Sequence, residues 1–333
     1  VDDLSRARVL IVKPSAFGDI IHSLPFLAAL KNRYPHCSVE WVVAHGLHEF
    51  LEGHPLIDRL WIIRKNEWRK ISRARETARE LRALYAGLRA SRFDLAVDLQ
   101  GLLRSGLIAL ASGAPVRVGF AEAREGSSLC YTHKVRGGQD VHAIERNMKI
   151  AEFLGCVTSG LEYPLPPLPA PPPGLPARYA VMAPSAGKEA NRWPARRFGE
   201  LASRLTHPSV VVASAADAPI AEEVVAHSQG MAISLAGLTS LKEMASVIRN
   251  ARFMISNDTG PMHVAAAMGV PVFAIFGPAN PARTGPYGVG HTIVTLGAEC
   301  APCYRKRKCR DWKCLSGLGV DDVYEAIKGG HLL

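Results

Sequence analysis

The chain has 333 residues, a length that suits two α/β domains of about 150 residues better than one. Its 48% hydrophobic content supplies ordinary cores and excludes a disordered chain, and no run approaches the roughly 20 apolar residues of a membrane span. The net charge of +10 admits nucleic acid, an anionic bilayer surface or an acidic substrate as partner, so where the charge sits matters more than its sum.

The opening residues, Val1-Asp2-Asp3, have neither the basic nor the apolar region of a signal peptide. Seven cysteines is an odd number, and Cys37, Cys130 and Cys156 are scattered singly, as reduced thiols are. The expected location is therefore cytoplasmic. The first apolar run, Val9–Val12, enters Lys13-Pro-Ser-Ala-Phe-Gly-Asp19, and residues Ile20 to Arg33 are predicted to form a helix. A strand, a small-residue turn and a helix start form an anion or sugar-phosphate site. The three-glycine spacing of a dinucleotide turn and the Gly-Lys-Ser/Thr of a phosphate loop are both missing. Asp19 falls in the first helical turn, where the dipole favours negative charge, and a plain helix-start acid has the same pattern.

Val39–Val43, Leu60–Ile63 and Leu95–Leu99 continue the series of β-branched runs. Between the last two lies a basic segment holding Arg64, Lys65, Arg69, Lys70, Arg73, Arg75, Arg79, Arg82, Arg89 and Arg92 against Glu67, Glu76 and Glu80. Ala74, Ala78, Leu81, Tyr85 and Leu88 have the spacing of a buried helical stripe, and Arg75, Arg79, Arg82 and Arg89 form a ridge beside it. That ridge is either a solvated face or a docking surface for phosphates and carboxylates, lipid headgroups included.

The proline-rich stretch Tyr163 to Pro176 can sustain neither helix nor ladder, which predicts domains at 1–163 and 177–333 joined by a linker at 164–176. Beyond it, Tyr179–Ala183, Val210–Ala213, Phe253–Ser256, Val272–Phe276 and Thr292–Leu296 repeat the alternation of apolar run and helix. Runs apolar on both faces suit buried parallel strands, so the expected fold class is α/β, with two doubly wound parallel sheets facing across a cleft. Asn257-Asp-Thr-Gly-Pro-Met-His263 follows one strand and precedes a helix that Asp258 or Thr259 can cap. The Gly/Pro-rich loop from Phe276 to Tyr287 follows the next strand, and together the two loops suit a nucleotide. Near the end, Cys300, Cys303, Cys309 and Cys314 are spaced as C-x2-C-x5-C-x4-C, which leaves reduced thiols, a structural zinc or a disulfide open.

Several of these segments together resemble a family. Residues 13–25, the Ser256–His263 motif, Asp98-Leu-Gln-Gly-Leu-Leu-Arg-Ser105, His142-Ala-Ile-Glu-Arg-Asn147, Arg192-Trp-Pro194 and Phe276-Gly-Pro278 are similar, in order, to segments of the bacterial lipopolysaccharide heptosyltransferases, glycosyltransferase family nine. The basic segment after Trp61 and the His142 motif resemble the branch that adds the first heptose to Kdo.

The resemblance implies a GT-B fold and an inverting transfer from ADP-heptose that requires no cofactor or metal. It implies Asp19 as the general base. Ser15, Ala16, Ser185, Lys188, Asp258, Thr259, Gly260 and His263 would meet the donor. Arg64, Arg69, Lys70 and Arg104 would meet the anionic lipid A–Kdo acceptor, with peripheral contact at the inner leaflet. Asn191 stands where many members have a phosphate-contacting Lys, which is why Lys188 is assigned that charge. Ala16 replaces a frequent Ser. The alternatives are a second-heptose transferase, a basic nucleic-acid-binding protein and a nicotinamide-dependent dehydrogenase. The missing nucleic-acid motif and the missing three-glycine turn disfavour the last two.

Overall fold

The computed structural model describes residues 3–69, 71–304, 309 and 312–330, apart from the side chains of Arg69 and Ile71. Lys70, the basic run at 305–308 and Arg310 lie outside the described residues. The chain divides into two compact units, Val1–Pro167 and Leu168–Leu333. No helix of the described residues is long and apolar enough to cross a membrane.

The first unit holds strands β1 (Arg8–Val12), β2 (Ser38–Ala44), β3 (Arg59–Ile63), β4 (Leu95–Asp98), β5 (Val116–Phe120) and β6 (His133–Val135). They form one parallel sheet in the order β3-β2-β1-β4-β5-β6. The second unit holds β7 (Ala180–Ala183), β8 (Ser209–Val211), β9 (Ala232–Ser234), β10 (Met254–Asn257), β11 (Val272–Ile275) and β12 (Thr292–Val294). Its sheet, β12-β11-β10-β7-β8-β9, is again wholly parallel. Counted from its own first strand, each sheet has the doubly wound order 3-2-1-4-5-6, so each has a topological switch point, at β1/β4 and at β7/β10.

Every residue of β4, β7, β10 and β11 is buried, which accounts for sequences apolar on both faces. Three strands have no such run in the sequence. β6 and β9 are three-residue edge strands with exposed positions, and β5 is interrupted by the half-buried Arg117. The helix expected over residues 20–33 is in fact two, Phe17–Ile21 and Leu24–Arg33. Pro25 explains the break: it has no N–H to continue the first helix and suits the first turn of the second.

The helix Ala74–Ala90 also departs from its predicted stripe. It buries Leu84 and Leu88, with Thr77, Glu80 and Leu81 half-buried, while Ala74, Ala78 and Tyr85 are exposed. Leu84 and Leu88 join Leu10, Val12, Trp61 and Ile63 in one core cluster, and the Trp61 ring lies so close to Gly87 that a Cβ there would come within 2.7 Å of it. Large side chains with partners set the orientation, whereas alanine is indifferent to which way it faces.

Behind the β1/β4 switch point, Asp98 is fully buried. Its Oδ1 accepts the N–H groups of Gln100 (2.8 Å) and Gly101 (3.0 Å), and its Oδ2 accepts the Tyr131 hydroxyl at 2.6 Å. Burial holds its carboxyl above the usual carboxylate range, and hydrogen bonds from Tyr131, Ser105, Gly101 and Gln100 offset only part of that rise. The Tyr131 ring crosses Gly119, where a Cβ would come within 2.3 Å of it, so β5 needs glycine at that point. Tyr131→Phe deprives a buried carboxylate of one donor and is expected to cost about 1–3 kcal/mol, read from the urea midpoint.

Candidate active site

At the carboxyl end of β1 the chain turns through Lys13–Ala16 and starts the helix Phe17–Ile21. Neighbouring strands hold this turn on several sides. The Trp41 indole donates to Lys13 O (3.2 Å), Ala44 N donates to Pro14 O (3.0 Å), and Ser15 N donates to Gln100 Oε1 (3.3 Å). Gln100 is itself placed by Asp98, so the β4 loop supports the β1 loop. Lys65, which follows β3, donates through Nζ to the Ser15 hydroxyl.

Asp19 sits over this turn. Its Oδ2 accepts the Ala16 N–H at 2.8 Å, and its Oδ1 lies 3.7 Å from Lys13 Nζ, which also donates to Leu99 O at 2.8 Å. The Lys13 side chain is 7% exposed and that of Asp19 is 42% exposed. The result is a carboxylate anchored from behind by a buried ammonium and open to a reactant in front. Ser15, Ala16 and Asp19 are therefore brought together.

Ser15, Ala16 and Phe17 border a cavity of about 680 Å³ whose other walls include His45, Arg64, Lys65, Glu67 and Arg73. That volume is in the usual range for small-molecule sites, and three basic side chains against one acid leave a net positive rim that suits an acid. Asp19 is outside its lining. The three glutamates of the basic segment are all paired: Arg73 with Glu67 (2.7 Å) and Glu76 (2.6 Å), and Arg64 with Glu80 (3.4 Å). Arg104 stands at the start of the helix Leu103–Ala111 and does not line this cavity. The side chains of Arg69 and Lys70 lie outside the described residues.

In the second unit, the loop after β7 carries Ser185, half-buried, and Lys188, exposed. The loop after β10 carries Asp258, Thr259 and Gly260, and leads into the helix Gly260–Ala267, which contains the buried His263. Thr259 occupies the cap position, but its side chain makes no capping bond. Asn257 joins the two loops: fully buried, it accepts the Trp193 N–H (3.0 Å) and donates to Pro184 O (2.6 Å).

Asn191, at the position expected to hold a cation, donates to Asp258 Oδ2 at 2.9 Å. Arg192 turns away, to Ala186 O (2.9 Å) and Asp217 (3.4 Å). Of the basic residues in this loop, Lys188 is the one whose side chain stands in solvent. Gln100, Lys65 and Asn257 stand inside the motifs and the basic segment of the sequence without an assigned role, because each acts through loop geometry that no short pattern encodes.

Cys300, Cys303, Cys309 and Cys314 are free thiols, and among the described residues no group of three or more His, Cys, Asp or Glu is placed to hold a metal ion. Cys314 packs against the loop after β11, where Gly277 leaves no room for a side chain, since a Cβ would lie 2.6 Å from Leu315.

Two parallel sheets of this order, each with polar loops at its switch point, give the chain a GT-B fold. The profile of Glycosyltransferase family 9 (heptosyltransferase) matches residues 81–313. Lipopolysaccharide heptosyltransferase 1 of Pseudomonas aeruginosa is 34% identical over 325 residues, covering 90% of this chain and 86% of its own. The enzyme of the same name from Escherichia coli K12 is 30% identical over 305 residues, covering 88% and 94%. Among solved structures, E. coli heptosyltransferase WaaC with ADP aligns at a TM-score of 0.77 and 25% identity over 97% of this chain and 99% of its own. The same enzyme with ADP-2-deoxy-2-fluoro heptose gives 0.78 and 26% over the same shares. The chain belongs to glycosyltransferase family 9.

Asn257→Ala tests the coupling of the β7 and β10 loops. It strips partners from the Trp193 N–H and the Pro184 carbonyl, and a stability loss of about 1–3 kcal/mol per orphaned group is expected in urea denaturation.

Proposed function

We propose that this enzyme transfers heptose, with inversion and without a catalytic metal, from ADP-L-glycero-D-manno-heptose to the Kdo of a lipid A–Kdo acceptor. The first unit, taken as residues 1–163, is assigned the acceptor. Residues 177–333 are assigned the donor, and 164–176 join them. The observation that carries this is the anchored, solvent-facing carboxylate of Asp19 at the β1 turn, beside a cation-rimmed cavity sized for a sugar acid.

Inverting transfer is one displacement at the anomeric carbon. The acceptor hydroxyl loses its proton as its oxygen attacks, and ADP leaves from the opposite face. Asp19 takes the proton. Lys13, 3.7 Å behind it, keeps the carboxylate oriented. Charge growing on the departing diphosphate is met by the positive end of the Gly260–Ala267 helix dipole and by Lys188, while Ser15, Ala16, Ser185, Asp258, Thr259, Gly260 and His263 complete the donor surroundings. Arg64 and Arg104, with Arg69 and Lys70, receive the acidic acceptor.

The first heptose is favoured over the second by similarity. The chain is 34% and 30% identical to two proteins named heptosyltransferase 1, against 26% and 25% to two named heptosyltransferase 2. A lipid-linked acceptor places the enzyme in the cytoplasm, peripherally at the inner leaflet, and nucleic acid is not among the expected partners.

A transfer assay with ADP-heptose and Kdo-bearing lipid A tests this, and transfer only to an acceptor that already carries one heptose would replace it. Asp19→Asn is expected to lower turnover by about 10² to 10⁴ with ADP affinity retained, and near-normal turnover would remove Asp19 from the role of base. Lys188→Ala is expected to weaken ADP binding by about tenfold or more in calorimetry, and Arg192→Ala much less.

A further inference from the structure

Two neighbouring helices cover one face of the first sheet. Leu84 and Leu88 of Ala74–Ala90 share a buried cluster with Ile108 and Ala109 of Leu103–Ala111. Their outer faces differ sharply. The longer helix turns Arg75, Arg79, Arg82 and Arg89 to solvent, and among the described residues none of these forms an ion pair. The shorter helix exposes Leu103 (43%), Leu107 (43%) and Leu110 (45%), spaced i, i+4, i+7 on the side opposite its buried residues.

Two further observations make this one surface. Leu129, 85% exposed, belongs to the turn Ser127–Cys130, which packs on the leucine helix so closely that a Cβ on Gly106 would come within 3.0 Å of Ser127. The Arg89 side chain reaches across to Gly113, just beyond the same helix.

Three exposed leucines on one helix face, with a fourth in the turn packed against that helix, are more than scattered surface apolarity, and they stand beside a row of uncompensated guanidinium groups. Aqueous solvent does not favour the leucines, and a purely polar anionic partner such as nucleic acid would use only the arginines. An anionic bilayer satisfies both, since leucines enter the acyl boundary while arginines meet phosphates.

We infer that Leu103, Leu107, Leu110 and Leu129, with Arg75, Arg79, Arg82 and Arg89, form the surface by which the enzyme docks on an anionic lipid leaflet. This rests on the peripheral location proposed above and gives it residues. It presents this helical face of the first unit to the leaflet, and a groove lined by Ile62, Ala83 and Leu84 opens on the flank of the arginine helix.

The test is flotation of the full chain with vesicles of phosphatidylethanolamine and phosphatidylglycerol, and with phosphatidylcholine alone, at low and high salt. The native protein is expected to float with the anionic vesicles, less at high salt. Leu103→Ser/Leu107→Ser/Leu110→Ser is expected to bind at least about tenfold more weakly at both salts, with an unchanged melting temperature. Each of Arg75→Ser, Arg79→Ser and Arg82→Ser is expected to weaken binding by about fivefold at low salt only. Transfer by the leucine variant to a water-soluble Kdo saccharide should match the native rate while transfer to vesicle-borne acceptor falls, which separates docking from catalysis. Native-like flotation of the leucine variant, no flotation of the native chain, or a native dimer that the leucine variant dissociates would each overturn the inference. The last would assign the face to a second copy of the chain.

Discussion

A lysine ammonium inside a protein must be paired, because taking it out of water unpaired costs several kcal/mol. Lys13 leaves β1 with its side chain almost wholly covered, and its partners are the Leu99 carbonyl at 2.8 Å and the Asp19 carboxylate at 3.7 Å. The first partner binds the end of β4 to the end of β1. The second fixes Asp19 over the turn instead of leaving it a loose helix-start acid. One buried charge thus joins the two strands at the switch point and orients the group to which proton abstraction is assigned.

The second unit reaches a comparable arrangement with no buried Lys or Arg among its described residues. At the β7/β10 switch point a neutral amide, Asn257, binds Pro184 O and Trp193 N–H, and the next asparagine in that surround, Asn191, binds Asp258. The difference fits the proposed division of labour. A loop that receives a diphosphate works best with its N–H groups and one mobile cation facing solvent, whereas a loop that presents a base needs that base held. The same doubly wound order produces both because it opens a crevice at the strand ends, and the loop residues decide what the crevice does.

Much of this was legible in the chain. Strands buried on both faces announced themselves as apolar β-branched runs, and the residues at their carboxyl ends stood out as short polar motifs. What the sequence concealed has identifiable causes. β6 and β9 are edge strands of three residues whose side chains are partly in water, so they lack the signature of the central strands. The helix Ala74–Ala90 has two leucines that pack and several alanines that do not, and periodicity alone could not tell them apart. The role of Asn191 could not be inferred from its neighbours, because the amide does not replace the cation expected there but positions Asp258. Gln100 and Lys65 reach Ser15 from separate strands, a proximity that exists only once the sheet is assembled.

If the β7 and β10 loops hold the leaving nucleotide, as proposed, hydrogen exchange at the amides of Ser185–Asn191 and Thr259–His263 slows when ADP binds. Bound ADP that leaves both segments exchanging as in the free protein would show that the nucleotide sits elsewhere.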